Sequence, residues 1–146
     1  MKKTLIYLTA FLMYGLNINA SGSDWLTNFE KATKEATEKK QQVLAVFSGS
    51  DWCAWCMKLD SEILSKQEFK DYAKDKLVLF LADFPMKNKL PEETSKQNKM
   101  LAEKYNVEGF PTVLLLDASG KVLAKTGYRK AGPAEYIEHL KTLIKN

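Results

Sequence analysis

The sequence predicts an α/β domain in which a central mixed β-sheet is flanked by helices, with a further helix at its N-terminal end. Three observations lead there. Residues 43–47 (Val-Leu-Ala-Val-Phe) and 77–82 (Leu-Val-Leu-Phe-Leu-Ala) are apolar without polar alternation, as strands buried on both faces must be. The stretch between them has helical spacing, so strand, crossover and strand form a right-handed βαβ unit with parallel strands. Residues 113–116 (Val-Leu-Leu-Leu) then meet a turn at Ala118-Ser119-Gly120 and return as residues 121–125, an antiparallel hairpin.

Taken from the start, Met1-Lys2-Lys3 is a basic opening to a nearly apolar run up to Leu16, closed by Asn17-Ile18-Asn19-Ala20 and a polar Ser-Gly-Ser stretch. This is the anatomy of a signal peptide, 1–20, cut after Ala20, and the run is too short for a comfortable membrane span. An uncleaved anchor is the alternative. No cysteine lies near the cut, which excludes a lipid-modified N-terminus. Residues 21–146 are then one compact domain. The net charge of +4 falls by two when Lys2 and Lys3 leave, and the remaining lysines are scattered among acidic residues. That pattern is an ordinary solvated surface and excludes an argument for nucleic acid.

Ser23 is placed to cap a helix over 24–40, with Trp25, Leu26, Phe29, Ala32 and Ala36 on its apolar side. After the first buried strand, Ser48-Gly49-Ser50 turns the chain, and Met57, Leu59, Ile63 and Leu64 form one side of a helix. Ser65-Lys66-Gln67-Glu68 has capping-box spacing and opens another, to about Lys74. After the second strand comes a loop over 83–90. Pro91 suits the first turn of a helix running to Tyr105, with Met100 and Leu101 facing inward. Gly132-Pro133 opens a last amphipathic helix carrying Tyr136, Ile137, Leu140, Leu143 and Ile144 on one face, with His139 on the solvated side.

The chemistry is concentrated in Asp51-Trp52-Cys53-Ala54-Trp55-Cys56, which holds both cysteines of the chain. At a strand-to-helix junction, free backbone N–H groups stabilise a thiolate on the first cysteine, and the second, in the same turn, can attack a mixed disulfide formed by the first. Zinc would need carboxylates or His139 to complete the ligand set, and haem attachment would need histidine where Met57 stands. A structural disulfide over so short a loop would restrict the unfolded chain little. Export places the pair in an oxidising compartment, where a disulfide can form.

The order of parts now carries a resemblance. Trp52-Cys53-Ala54-Trp55-Cys56 after a strand and Gly109-Phe110-Pro111-Thr112 before another, then a hairpin and a terminal helix, resemble the thioredoxin superfamily over nearly all of residues 21–146. The continuation Met57-Lys58-Leu59-Asp60 is similar to the exported branch that includes the C-terminal domain of the periplasmic transmembrane disulfide reductant and small Dsb-type disulfide reductases. The resemblance implies a thioredoxin fold without cofactor. It implies Cys53 as the exposed nucleophile, Cys56 as the more buried resolving thiol, and a redox disulfide between them. Pro111 would follow a cis bond opposite the sulfurs, where such a bond has a purpose. Trp52 would shield the sulfurs and, with Trp55, Phe110 and Pro111, contact substrate.

There is one departure. The buried acid that many thioredoxins carry six places before the first cysteine is replaced by Phe47. The nearest substitute is Asp60, one helical turn after Cys56, with a solvated surface aspartate as the alternative. The pair Ala54-Trp55 contains no histidine to stabilise the thiolate, which argues against a strong oxidant. The implied function is an exported, monomeric thiol:disulfide oxidoreductase that reduces protein disulfides and receives electrons from a membrane thiol-disulfide reductant. Oxidation or isomerisation of secreted proteins, and a client-binding module on the same scaffold, are the competing functions.

Overall fold

The computed structural model describes residues 24–144, so the expected signal peptide lies outside the described residues. Five strands form one sheet in the order β1-β3-β2-β4-β5: β1 (Trp25–Leu26), β2 (Gln42–Ser48), β3 (Leu77–Asp83), β4 (Thr112–Leu116) and β5 (Val122–Thr126). Both β1 and β2 pair with β3 in parallel, whereas β4 is antiparallel to β2 and to β5, so the sheet is mixed as expected. The helices are α1 (Phe29–Lys39), α2 (Ala54–Leu59), α3 (Gln67–Lys76), α4 (Glu92–Lys104) and α5 (Pro133–Ile144).

The period-two alternation of a strand sorts β2 into two cores. Leu44 and Val46 meet Leu59, Ile63, Phe69, Tyr136 and Leu140 on the side of α2, α3 and α5. Val43, Ala45 and Phe47 meet Ala32, Ala36 and Leu101 on the side of α1 and α4. Both faces are therefore covered, which is why the run has no polar residue. Among the described residues no helix is long and apolar enough to cross a membrane.

Several local expectations are corrected. Trp25 and Leu26 do not open α1; they form a short strand beside Leu79 and Phe80. The helix starts at Phe29, capped by Asn28, whose Oδ1 accepts from the Lys31 N–H at 2.8 Å. The reason is a distant clamp: Gln97 of α4 accepts from the Phe29 N–H and donates to the Thr27 carbonyl. Ser65 does not build a capping box. A five-residue π-helical turn, Asp60–Leu64, follows α2, and the Ser65 N–H and hydroxyl both donate to the Asp60 carbonyl, leaving Lys66 as the cap of α3.

In α4 the inward line runs through Asn98 and Leu101, three apart, so Met100 is turned outward and 58% exposed. Ile144, at the end of α5, is likewise exposed. His139 is half-buried rather than solvated, with its Nε2 2.9 Å from Thr126 Oγ1 on β5; burial, and then the charge of Arg129, depress its pKa.

Candidate active site

β2 ends at Ser48, and the next carbonyl does the turning: Gly49 O accepts from the N–H groups of Cys53 (2.8 Å) and Trp52 (3.3 Å). That turn places Cys53 at the cap of α2, with its Sγ accepting from the Cys56 N–H at 3.2 Å. A sulfur here occupies the position of a capping oxygen, and the donor favours negative charge on it once the S–S bond opens. Cys53 and Cys56 are joined as a disulfide, Cα to Cα 5.2 Å, and the Cys56 sulfur faces the Gly49 N–H at 3.5 Å. The expected contrast between an exposed and a buried cysteine is not seen in this form: the two are 6% and 4% exposed.

Trp52 lies over the turn. Its Nε1 donates to the Phe84 carbonyl at 2.7 Å and its ring meets Phe110 edge-on at 5.8 Å. Gly49 lies beneath the ring, and a Cβ there would overlap the indole. The peptide bond Phe110–Pro111 is cis. Gly127 approaches the Pro111 carbonyl so closely that an added Cβ would lie 3.1 Å from it. The Gly127 carbonyl accepts the buried Tyr136 hydroxyl of α5, pinning the segment after β5 against the proline loop.

Two hollows adjoin the Cys53–Cys56 segment, one through Trp55 and the other through Cys56. One, of about 600 Å³, is lined by Trp55, Lys58, Glu62, Phe110, Pro111, Tyr128 and Lys130. Trp55 is 55% exposed and lies 5.2 Å from the Tyr128 ring, with the Lys58 ammonium 4.9 Å above its own ring. Tyr128 donates to Glu62 at 2.7 Å, which raises the phenol's pKa. The other hollow, of about 470 Å³, reaches Cys56 and includes Asp60, Ser48, Ser50, Val46 and Trp25.

Asp60 therefore shares a cleft with Cys56. Phe47 faces away, fully buried between Phe84 and Tyr105 on the α1/α4 side, and Val46 and Ser48 are the β2 residues lining the cleft with Cys56. Among the described residues no cluster of three or more His, Cys, Asp or Glu is placed to hold a metal ion, and His139 pairs with Thr126.

Some of the site was not anticipated. Asp51 accepts from the N–H groups of Met86, Lys87 and Asn88 at 2.8–2.9 Å, fastening the loop after β3 beside the cysteines. Those amides, Met86 first, hold its carboxyl below the usual value. Asp83 similarly accepts from the Ser50 N–H and hydroxyl. Tyr128 and Lys130, from the segment after β5, meet Glu62, which lies 66 residues before Tyr128, and no periodicity marks them. Asp51, next to Trp52, was in plain view, but its partners lie more than thirty residues on.

Comparison with known proteins bears on this geometry. A model of the thioredoxin-like domain matches residues 29–144. The "Disulfide bond reductase DsbH" of Chlamydia pneumoniae is 37% identical over 128 residues, covering 88% of this chain and 76% of the relative. A solved "DsbH Oxidoreductase" superposes with a TM-score of 0.80 at 35% identity, over 93% of this chain and 94% of that one. The oxidised C-terminal domain of DsbD from Neisseria meningitidis shares the fold at a TM-score of 0.56 and 19% identity, over 77% and 89% of the two chains.

Proposed function

The chain belongs to the thioredoxin-like family, and on that premise we propose that it is an exported thiol:disulfide oxidoreductase working as a reductase of protein disulfides. The observation carrying this reading is the sulfur of Cys53 held at the start of α2 by the Cys56 N–H, in a disulfide with Cys56. Similarity to a disulfide bond reductase over most of both chains supports the direction.

In the reduced protein the Cys53 thiolate attacks one sulfur of a client cystine. The client S–S bond breaks, one client sulfur leaves as a thiol, and a mixed disulfide with Cys53 remains. Cys56 loses its proton and attacks the Cys53 sulfur. The second client sulfur then leaves, and the Cys53–Cys56 disulfide of the structure is formed. Two electrons have passed to the client. Asp60 is the carboxylate that takes the Cys56 proton from within the shared cleft. Trp52, Trp55, Phe110 and Pro111 bear on the client. A membrane thiol-disulfide reductant returns the protein to the dithiol, and a monomer suffices for every step.

Insulin reduction and non-reducing gels test the assignment. Cys53→Ser should abolish turnover, and Cys56→Ser should accumulate mixed disulfides through Cys53. Trapping by Cys53→Ser instead would reverse the two roles. Export with cleavage after Ala20 rests on the basic start, the short apolar run and the small residue at that place. Mass spectrometry of the secreted fraction should find Ser21 at the N-terminus, and an intact membrane-bound segment would overturn it.

A further inference from the structure

The hollow that Trp55 lines, next in the chain to Cys56, has a charge pattern that simple apolar recognition does not use. Its floor is aromatic and apolar: Trp55, Tyr128, Phe110 and Pro111. Its rim carries two ammonium groups, Lys58 from the last turn of α2 and Lys130 from the segment after β5, against one carboxylate, Glu62. Glu62 is engaged by the neutral Tyr128 hydroxyl rather than by a cation. Lys58 lies over the Trp55 ring, and among the described residues neither lysine is within ion-pair distance of a carboxylate. The cleft that Cys56 lines has the reverse sign: Asp60 lines it and no basic residue does. Of the two hollows, the one with the aromatic platform is therefore the positive one.

We infer that Lys58 and Lys130 select clients, so that the preferred substrate is a cystine flanked by a carboxylate side chain, with that carboxylate on the platform side. This rests on the reductase reading above. An acidic residue next to the client cysteine reaches the two ammonium groups while its backbone runs along Phe110 and Pro111. A basic residue there meets like charge at both lysines. Glu62 weakens the preference without reversing it, because two ammonium groups stand against its one carboxylate. The groups are exposed, so the discrimination is modest per lysine and is carried largely by the encounter rate.

The test uses the full exported protein, reduced, and three disulfide peptides differing only in the residue beside the cystine: Glu, Gln or Lys. At low ionic strength kcat/KM should fall in the order Glu, Gln, Lys, with the Glu and Lys peptides separated by about three- to tenfold. Salt at 0.5 M should compress that ratio towards one, since the Debye length shrinks to a few ångströms. In Lys58→Glu/Lys130→Glu the order should invert. Equal rates for the three peptides in the wild type, or an unchanged order in the double variant, would overturn the selection by the lysines and leave the reductase reading standing. Reduction of none of the three by the folded protein would overturn both.

Discussion

Gly49 offers the sharpest test of how the site is held. Replacing it with alanine puts a methyl group into the indole of Trp52. Two responses are open. If the ring stays, the overlap costs about 1–3 kcal/mol as forced packing. If it swings into solvent, which its 42% exposure permits, the loss is the Nε1 hydrogen bond to Phe84 and the edge contact with Phe110. The hydrogen bond contributes about 0.5–1 kcal/mol, the low end because water takes over the freed groups, and the ring pair adds about 0.5 kcal/mol.

The cheaper response prevails, so Gly49→Ala should cost about 1–1.5 kcal/mol. For a domain of this size each kcal/mol moves Tm by about 3–6 °C, giving a drop of about 3–9 °C. Thermal unfolding measures it. The same change should quicken reduction of the Cys53–Cys56 disulfide by dithiothreitol, as the ring leaves the turn. The decisive control is the cycle with Trp52→Ala: without the indole, Gly49→Ala should cost almost nothing. An unaltered Tm in Gly49→Ala, or an equal loss in the Trp52→Ala background, would refute the contact.

Three further outcomes follow from carboxylates near the cysteines. Asp60→Asn should slow resolution by Cys56 by about 10²-fold, the low end of positioned proton transfer because Asp60 is exposed, while attack by Cys53 is little changed; stopped-flow Trp fluorescence separates the steps, and an unchanged resolving rate would remove Asp60 from the mechanism. Asp51→Ala should speed hydrogen exchange at Met86, Lys87 and Asn88, since all three amides lose one acceptor group. The fold holds the Asp51 pKa below its ordinary 3.8, so its stabilising effect is full above that value and is lost as pH falls through the lower folded one. Protection of those amides in the wild type should therefore persist at pH 5 and fall only in stronger acid; a fall between pH 7 and 5 would contradict the clamp.

Much of this protein was determined by the sequence itself, because the signals involved are local or periodic. Unbroken apolar runs can be satisfied only by strands covered on both faces, so β2 and β3 followed from residues 43–47 and 77–82. The adjacency of Cys53 and Cys56 after such a strand placed the chemistry, since two residues between them fit one helical turn. Local reading went astray where a distant group outbid a nearby one. Ser23 and the spacing of Trp25 and Leu26 looked like a helix start, but β3 offered Trp25 and Leu26 a pairing edge and Gln97 clamped the chain at Thr27 and Phe29.

Only the tertiary structure decided the environment of the cysteines. It turned Phe47 away from them, brought Asp60 into the cleft of Cys56, and tied Asp51 to a loop more than thirty residues on. It also gathered Trp55, Lys58, Tyr128 and Lys130 around one hollow. Such groupings depend on which helix covers which face of the sheet, and that is fixed by packing volume and chain crossing rather than by any short pattern of residues.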